Sequence, residues 1–100
     1  MSLVSVIMPY YKKKKYVLES IKSILNQSHK NLEIILVNDE IDNKSCDFLK
    51  EISILDSRIK LIINEKNLGA GESRNKAIKI ANGEYIAFCD CDDLWKNTKL

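Results

Sequence analysis

The sequence predicts a three-layer α/β fold in which a parallel sheet, with strand order 3-2-1-4, carries helices on both faces. Four short apolar runs alternate with three segments whose apolar residues recur at helical spacing. This alternation is typical of right-handed β-α-β crossovers. The apolar runs are continuous and do not alternate with polar residues, as expected of strands that are buried on both faces.

The first three elements form a β-α-β unit. Strand one is predicted over residues 3–8 and is closed by Pro9, the only proline of the chain. Residues 16–27 place apolar side chains three and four positions apart, as a helix requires. Residues 32–37, LEIILV, are predicted to form strand two.

Four further elements are predicted: a helix at 45–55, a strand at 58–63, a helix at 72–81 and a strand at 84–89. Ser45 is the predicted N-cap of its helix, because a serine hydroxyl accepts hydrogen bonds from the amides of a first turn. Asn82 and Gly83 are expected to stop the third helix. A fourth helix is predicted to begin at Leu94.

Length and composition exclude several classes of protein. One hundred residues correspond to one domain or part of one. The net charge of +2 indicates no nucleic-acid partner. Three cysteines at irregular spacing argue for a reducing compartment. No signal peptide and no apolar stretch of about 18 residues is visible, so we expect a cytoplasmic protein, free or peripheral on the inner face of the membrane.

The unusual residues of this chain lie where predicted strands end. Pro9, Tyr10 and Tyr11 follow strand one, Asp39 follows strand two, and an acidic cluster follows strand four. Ligands of open parallel sheets bind outside the carboxyl ends of the strands. We therefore expect these residues to meet at one edge of the sheet.

The acidic cluster consists of Asp90, Asp92 and Asp93. Two carboxylates about 5 Å apart repel by roughly 3 kcal/mol at an effective dielectric constant of about 20. Solvent, proton uptake, a helix N-terminus or a divalent cation would relieve this repulsion. Carboxylate oxygens suit Mg²⁺ and Mn²⁺. The alternative is that the cluster is a loop in which Asp92 or Asp93 caps the helix predicted at Leu94.

Zinc is a less favoured ion. Cys46, Cys89, Cys91 and His29 are of the right residue types, but they match no zinc-ligand spacing. In an extended strand Cys89 faces away from Cys91, so we interpret Cys89 as a small core residue and Cys91 as a spacer between two ligands.

Five motifs, in order, resemble the inverting GT-A glycosyltransferases of family 2. They cover nearly the whole chain: VSVIMPYY at 4–11, LESIKSILNQ at 18–27, LEIILVND at 32–39, NLGAGESRN at 67–75 and NGEYIAFCDCDD at 82–93. The resemblance implies a GT-A fold, Rossmann-like and truncated, whose residues 1–100 are the part that binds the nucleotide-sugar donor.

The resemblance also implies roles for single residues. Pro9, Tyr10 and Tyr11 would border the nucleoside, and Asp39 would accept a hydrogen bond from its base. The implied role of Arg74 is near the base or the diphosphate. Asp90 would approach the ribose and share with Asp92 a divalent cation, Mg²⁺ or Mn²⁺. The cation would stabilise the departing nucleoside diphosphate.

The chain departs from the family pattern in several places. Asn38 stands where the family usually has aspartate, Glu40 and Ile41 replace a Gly-Ser or Asn-Ser pair, and Lys12 replaces an asparagine. These departures leave the nucleotide open, with UDP favoured. The acceptor-binding half and its catalytic base are not found, so no residue here is assigned to catalysis and we expect an inactive fragment.

Simpler interpretations stay open for several residues. Tyr10 and Tyr11 would close a turn over the core, and Arg74 would pair with Glu72 or another carboxylate. The four lysines at 12–15 would be a solvated first helical turn, or would attract an anionic donor or anionic lipid. Glu33 is expected to be a solvated strand-end residue, and Trp95 is either core or the lid of a sugar pocket.

The expected function is sugar transfer from a nucleoside-diphosphate sugar to a glycan or lipid-linked acceptor, as in cell-surface polysaccharide synthesis by bacteria. The main alternative is a non-catalytic nucleotide-binding α/β module. A phosphorelay receiver or a sugar nucleotidyltransferase is less favoured, because no acidic pair and no glycine-rich loop follows strand one. An exposed edge strand would allow a homo-oligomer.

Overall fold

A computed structural model describes residues 2–92 and 94–96 of the chain. Its elements, in chain order, are β1 (Val4–Tyr10), α1 (Val17–Leu25), β2 (Leu32–Asn38), α2 (Asn43–Ser53), β3 (Ile59–Ile63), α3 (Gly69–Ile80) and β4 (Tyr85–Phe88). The four strands form one parallel sheet in the order β3-β2-β1-β4. The predicted strand order and parallel pairing are therefore confirmed.

Helices cover both faces of the sheet, as predicted. Successive strand residues point to opposite faces. Val6, Met8 and Ile34 pack with α1 and α2 in one core, whereas Ile7 and Ile35 pack against α3 in a smaller core on the other face. Within the described residues, each helix is too short or too polar to cross a membrane.

Strand β1 extends through Pro9, where the sequence predicted its end. Pro9 lies in register with Val37 of β2. The Ile7 carbonyl accepts a hydrogen bond from the Cys89 amide, which follows β4. Residues two positions apart in a strand direct their backbone N–H and C=O groups to the same side, so those of Pro9 also point toward β4. The ladder with β4 ends at the Ile7–Phe88 pair. A backbone N–H at position 9, which proline lacks, would therefore have no hydrogen-bond partner in β4.

Two predicted helix starts are wrong. The N-cap of α2 is Asp42, whose carboxylate accepts the Ser45 amide at 2.7 Å, and Ser45 lies inside the helix. Helix α3 begins at Gly69, three residues earlier than predicted, because the Asp39 carboxylate accepts the first amides of this helix. Helix α3 also ends before Asn82, at Ile80.

Glu33 is a buried residue and not the solvated strand-end residue that we predicted. It is 4% exposed, and its carboxylate accepts hydrogen bonds from Ser5 Oγ, Lys60 Nζ and the Asn82 amide. Gly83 packs directly on this cluster, where its amide donates to Ser5 Oγ at 2.8 Å. The cluster ties β1, β2 and β3 to the chain that enters β4.

Candidate functional site

A cleft of about 270 Å³ opens at the carboxyl edge of the sheet. Its described lining is Pro9, Tyr10, Tyr11, Lys13, Asp39, Ala70, Arg74, Asp90, Cys91 and Asp92. All seven residues to which the sequence analysis gave a site role are among them. The parallel topology brings them together, because the chain leaves β1, β2 and β4 at the same edge.

The end of β1 supplies the aromatic wall of the cleft. Tyr10 is 1% exposed and belongs to the main core, whereas Tyr11 is 46% exposed. Burial raises the pKa of the Tyr10 hydroxyl, and the nearby Glu40 carboxylate adds to the rise. The Tyr11 ring is thus the one that offers an open face, and Lys12 Nζ lies 5.2 Å from the centroid of that ring.

Asp39 links the end of β2 to the start of α3. Its Oδ1 accepts hydrogen bonds from the Leu68 amide at 2.7 Å and from Asn64 Nδ2 at 2.9 Å, and its Oδ2 accepts the Gly69 amide at 2.8 Å. Burial alone would raise the pKa of Asp39, but these donors and the Lys76 charge hold it below its ordinary value. Asp39 is therefore a fixed carboxylate anion at the floor of the cleft.

The acidic segment after β4, residues 89–92 and 94–96, contains Asp90 and Asp92, and each of these carboxylates pairs with a side chain from a distant part of the chain. Lys13 Nζ lies 3.4 Å from Asp92 Oδ2, and Arg74 Nη2 lies 3.7 Å from Asp90 Oδ1. The repulsion predicted between Asp90 and Asp92 is therefore reduced by two cationic side chains. Arg74 pairs with a carboxylate, as one interpretation of the sequence expected, and this carboxylate is Asp90 and not Glu72.

The lysine run is not the first turn of α1. Helix α1 begins at Val17, Lys12 has a positive φ of 53°, and the Tyr16 amide donates to the Lys13 carbonyl, so the lysines lie in a bend and a turn ahead of the helix. This turn is what brings Lys13 over the acidic segment. Lys13 is a cleft residue that the sequence analysis missed, because no local pattern separates it from its three lysine neighbours.

Asp90 and Asp92 fit a hard divalent cation by the chemistry of their donor atoms. Both expose carboxylate oxygens to the cleft, and Mg²⁺ is often held by one or two carboxylates together with substrate phosphates and waters. Among residues 2–92 and 94–96, no group of three or more His, Cys, Asp or Glu side chains could enclose a metal ion. The described residues thus suit an ion that is shared with a ligand.

The predicted cap at Leu94 does not form in the part of the chain that the structure describes. Residues 94–96 have no helical structure, and Asp92 pairs with Lys13. The third carboxylate of the cluster, Asp93, and residues 97–100 lie outside the described residues.

Of the cysteines and the histidine considered for zinc, Cys89 and Cys91 lie together, whereas Cys46, next to Asn38, and His29 lie in other environments. Cys89 and Cys91 are both buried in the main core, and Cys91 Sγ donates to the Pro9 carbonyl at 3.0 Å. Strand β4 ends at Phe88, so the alternation expected of an extended strand does not reach Cys91. His29 Nε2 contacts the Ser2 and Asn31 carbonyls. Cys91 is thus a buried residue between the two carboxylates, and burial raises the pKa of its thiol.

Comparisons with known proteins show the family to which the chain belongs. Residues 5–100 match the family model described as Glycosyl transferase family 2. The chain is 43% identical over 100 residues to the UDP-Glc:alpha-D-GlcNAc-diphosphoundecaprenol beta-1,3-glucosyltransferase WfaP of Escherichia coli. That alignment covers 100% of this chain and 39% of WfaP, so the chain spans about two fifths of this relative.

Solved structures give the same result. The crystal structure of S. aureus TarS 1-349 in complex with UDP-GlcNAc matches with a TM-score of 0.78 and 33% identity, over 97% of this chain and 28% of the TarS 1-349 chain. The mannosyltransferase PcManGT of Pyrobaculum calidifontis, in complex with GDP-Man and Mn²⁺, matches with a TM-score of 0.82 over 92% of this chain and 28% of PcManGT. Its 23% identity indicates the shared fold alone.

Proposed function

Because the chain belongs to glycosyl transferase family 2, we propose that its cleft binds the nucleoside diphosphate of a sugar donor together with a divalent cation. The observation that carries the proposal is the meeting of the end of β1, Asp39, Arg74 and the acidic segment in one cleft. UDP is the favoured nucleotide, since TarS, a structural match at 33% identity, was crystallised with UDP-GlcNAc.

The charge of the cleft explains why the ligand requires a cation. The described lining carries three carboxylates, Asp39, Asp90 and Asp92, against two cationic side chains, Lys13 and Arg74. This excess of negative charge repels a diphosphate. A Mg²⁺ or Mn²⁺ ion held by Asp90 and Asp92 reverses the sign of the cleft and, when bound, neutralises charge on the departing nucleoside diphosphate.

In this proposal Lys13 and Arg74 also bind the diphosphate once the cation is in place. In the free protein Lys13 and Arg74 are paired with the carboxylates that would hold the ion. Binding of the ion releases them from these pairs. Both residues line the cleft, so their charges are then available to the diphosphate oxygens.

The nucleoside end of the ligand is assigned to Pro9, Tyr11 and Asp39. An ionised carboxylate has about four sites for accepting hydrogen bonds, and three at Asp39 are taken by Leu68, Asn64 and Gly69. One site on Oδ2 is left to accept an N–H group of the base. The exposed ring of Tyr11 provides an apolar face nearby.

Transfer requires residues beyond those of this cleft. Each described carboxylate of the cleft already has a role in this proposal. Asp39 accepts the first amides of α3, and Asp90 and Asp92 hold the cation. None of the three is therefore left to serve as the base of an inverting transfer. We therefore propose that the chain binds a donor without transferring its sugar. Acceptor binding, to a glycan or a lipid-linked sugar as the name of WfaP indicates for that relative, belongs to the part of such relatives that this chain does not span.

Calorimetric titration of the chain with UDP, with and without Mn²⁺, tests the proposal. We expect UDP to bind more tightly with Mn²⁺, and Asp92→Asn to weaken Mn²⁺–UDP binding at least ten-fold, about 1.4 kcal/mol. Asp47→Asn, an exposed change on α2 outside the cleft, is the matched control and should bind as the wild type does. If Asp92→Asn binds Mn²⁺–UDP as tightly as the wild type, the metal assignment fails.

The same titration separates the competing functions. A non-catalytic nucleotide-binding module that has no cation site would bind UDP with no dependence on Mn²⁺ or Asp92. Turnover of a nucleotide sugar onto an acceptor by this chain alone would contradict the assignment of transfer to residues elsewhere.

A further inference from the structure

The acidic segment is held by its backbone against helix α1. Ser20 Oγ donates to the Cys91 carbonyl at 2.7 Å, the Trp95 amide donates to Ser23 Oγ at 3.0 Å, and Gln27 Nε2 donates to the Lys96 carbonyl at 2.6 Å. Residues 89–92 and 94–96 belong to no helix or strand. These three bonds to side chains therefore replace the ladder or helical bonds that would otherwise fix this backbone.

The three side chains form one polar row. Ser20 and Ser23 are three positions apart and share a face of α1, and Gln27 follows just after the helix ends at Leu25. Ser20 and Gln27 are both 0% exposed. The row is also tied to the helix backbone, since Ser23 Oγ donates to the Ser20 carbonyl and Gln27 Nε2 to the Ser23 carbonyl.

The hydrogen bonds of this polar row restrict the position of the segment more narrowly than apolar packing would. Apolar contacts tolerate sliding and rotation, whereas hydrogen bonds require a narrow range of distance and angle. All three bonds go to backbone atoms of the segment, so they fix its path whatever side chains it carries. The first of them holds the carbonyl of Cys91, the residue that joins Asp90 to Asp92.

We propose that Ser20, Ser23 and Gln27 are positioning residues for the cation site. They hold the segment so that Asp90 and Asp92 both face the cleft at a fixed separation. The inference rests on the proposed function, because its consequence is the affinity for a divalent cation and nucleotide. No role in contacting the ligand is assigned to the row itself.

The test uses Trp95, the only tryptophan of the chain, as a reporter of the segment. Trp95 is 8% exposed, so its fluorescence should shift to the red when the segment detaches from α1. The variants are Ser23→Ala, which removes the acceptor of the Trp95 amide, and Gln27→Met, which keeps side-chain length without a donor. Ser53→Ala is the matched control, since Ser53 Oγ makes the same type of bond to the Lys50 carbonyl on α2.

We expect Ser23→Ala and Gln27→Met to red-shift the Trp95 emission while the far-ultraviolet circular dichroism is retained. UDP affinity without metal should stay within two-fold of the wild type, whereas the gain in affinity on adding Mn²⁺ should fall at least ten-fold. General destabilisation would lower both affinities together. Ser23→Thr restores the hydroxyl and should restore the Mn²⁺ gain, and Ser53→Ala should change neither emission nor affinity.

The two variants are made separately, so failure of one to fold leaves the other as the test. An unchanged Mn²⁺ gain in a folded variant overturns the inference, whether or not the emission shifts. If the wild type binds no Mn²⁺–UDP, the proposed function fails. In that case unchanged Trp95 emission also overturns the holding role of α1, whereas a red shift supports it.

Discussion

At the scale of single residues, Lys13 differs from the lysines beside it because the fold places it next to Asp92 in the cleft. It stands among four consecutive lysines, but only Lys13 lines the cleft in the described structure. Lys12 lies over the Tyr11 ring and Lys14 over the Phe48 ring. The bend and turn ahead of α1 therefore place these three lysine side chains in different surroundings.

We predict that Lys13→Gln weakens Mn²⁺–UDP binding about three- to ten-fold, because it removes one positive charge from the cleft in which we propose that the diphosphate binds. The free energy of unfolding should change by less than about 0.5 kcal/mol, since exposed ion pairs such as Lys13–Asp92 contribute little to stability. Calorimetry and urea denaturation measure the two quantities. Lys15→Gln, an exposed change outside the cleft, is the control, and equal nucleotide affinity of both variants would contradict the role given to Lys13.

The cleft residues differ in how far the sequence reveals them. Asp39 and Asp90 were predicted to meet because both follow buried strands, and strand ends share one edge of a parallel sheet. The pairing of Lys13 with Asp92 was not predicted, because the two residues lie far apart in the chain and only the position of β1 beside β4 joins them. The role proposed for Ser20 was missed for another reason, since a buried polar side chain on a helix looks like an interruption of its apolar face.

At the scale of elements, Gly83 and Gly71 differ in whether the structure leaves room for a side chain. An added Cβ at Gly83 would lie 2.5 Å from Ser5 Oγ and 2.6 Å from the Ser5 amide nitrogen, whereas at Gly71 it would meet no atom within 4 Å. The chain before β4 thus approaches β1 more closely than any other residue type permits. Gly71 lies inside α3, where alanine is the better helix former.

We predict opposite effects for the two alanine substitutions. Gly83→Ala should lower the free energy of unfolding by about 1–3 kcal/mol, because the added methyl group meets backbone that has no room to move. Gly71→Ala should raise it by about 0.5–1 kcal/mol. Urea denaturation of both variants decides the matter, and a stable Gly83→Ala protein would show that the start of β4 is not clamped against β1.

Element boundaries were predicted less well than element types. Continuous apolar runs predicted the four strands correctly, but the burial on both faces that they also predicted holds for β1 and β2 only. In β4 that prediction is wrong, since Tyr85, Ile86 and Phe88 are each at least 40% exposed. The start of α3 was misplaced because the Asp39 carboxylate, which is about 30 residues away in the chain, binds its first amides. A cap supplied by another element leaves no local signature at the helix that it caps.

At the scale of the whole molecule, the buried Glu33 cluster should shape the response to acid. Burial alone would raise the pKa of Glu33, but hydrogen bonds from Lys60, Ser5 and the Asn82 amide hold it below the ordinary value. A carboxylate with a lowered pKa contributes stability above its unfolded-state pKa of about 4.3. That stability is lost as the pH falls through the lower folded-state value.

We predict that Glu33→Gln lowers the free energy of unfolding at pH 7 and flattens its decline in acid. The amide cannot be ionised, so the contribution of this site no longer depends on pH. The loss at pH 7 should be about 1–3 kcal/mol, the typical result of weakening a buried hydrogen-bonded group. Denaturation curves at pH values from 7 down to 3 provide the measurement, and an acid limb as steep as that of the wild type would contradict the assignment.

The β4 edge of the sheet should govern association of the chain with itself. Tyr85 is 62% exposed and Phe88 is 53% exposed, and β4 is an edge strand. Exposed apolar edge strands are templates for pairing with another chain. We propose weak homo-oligomers through this edge, which sedimentation velocity would detect as a concentration-dependent sedimentation coefficient.

Ile86→Lys, on β4, should suppress this association, because a charge on an edge strand opposes pairing. Ile54→Lys places the same change on an isoleucine beyond α2 that is also exposed. This control should associate as the wild type does. Equal association of the two variants would place the contact elsewhere.

The position of β1 between β2 and β4 also sets the order in which the cleft is assembled during synthesis. Ser5 meets its partner on β2, Glu33, across 28 residues, but its partner before β4, Gly83, across 78 residues. On the ribosome, β1 therefore finds β2 early and keeps its other side vacant until β4 emerges. Because the cleft joins the turn after β1 to the segment after β4, the proposed nucleotide site of a nascent chain is complete only once this late strand has docked.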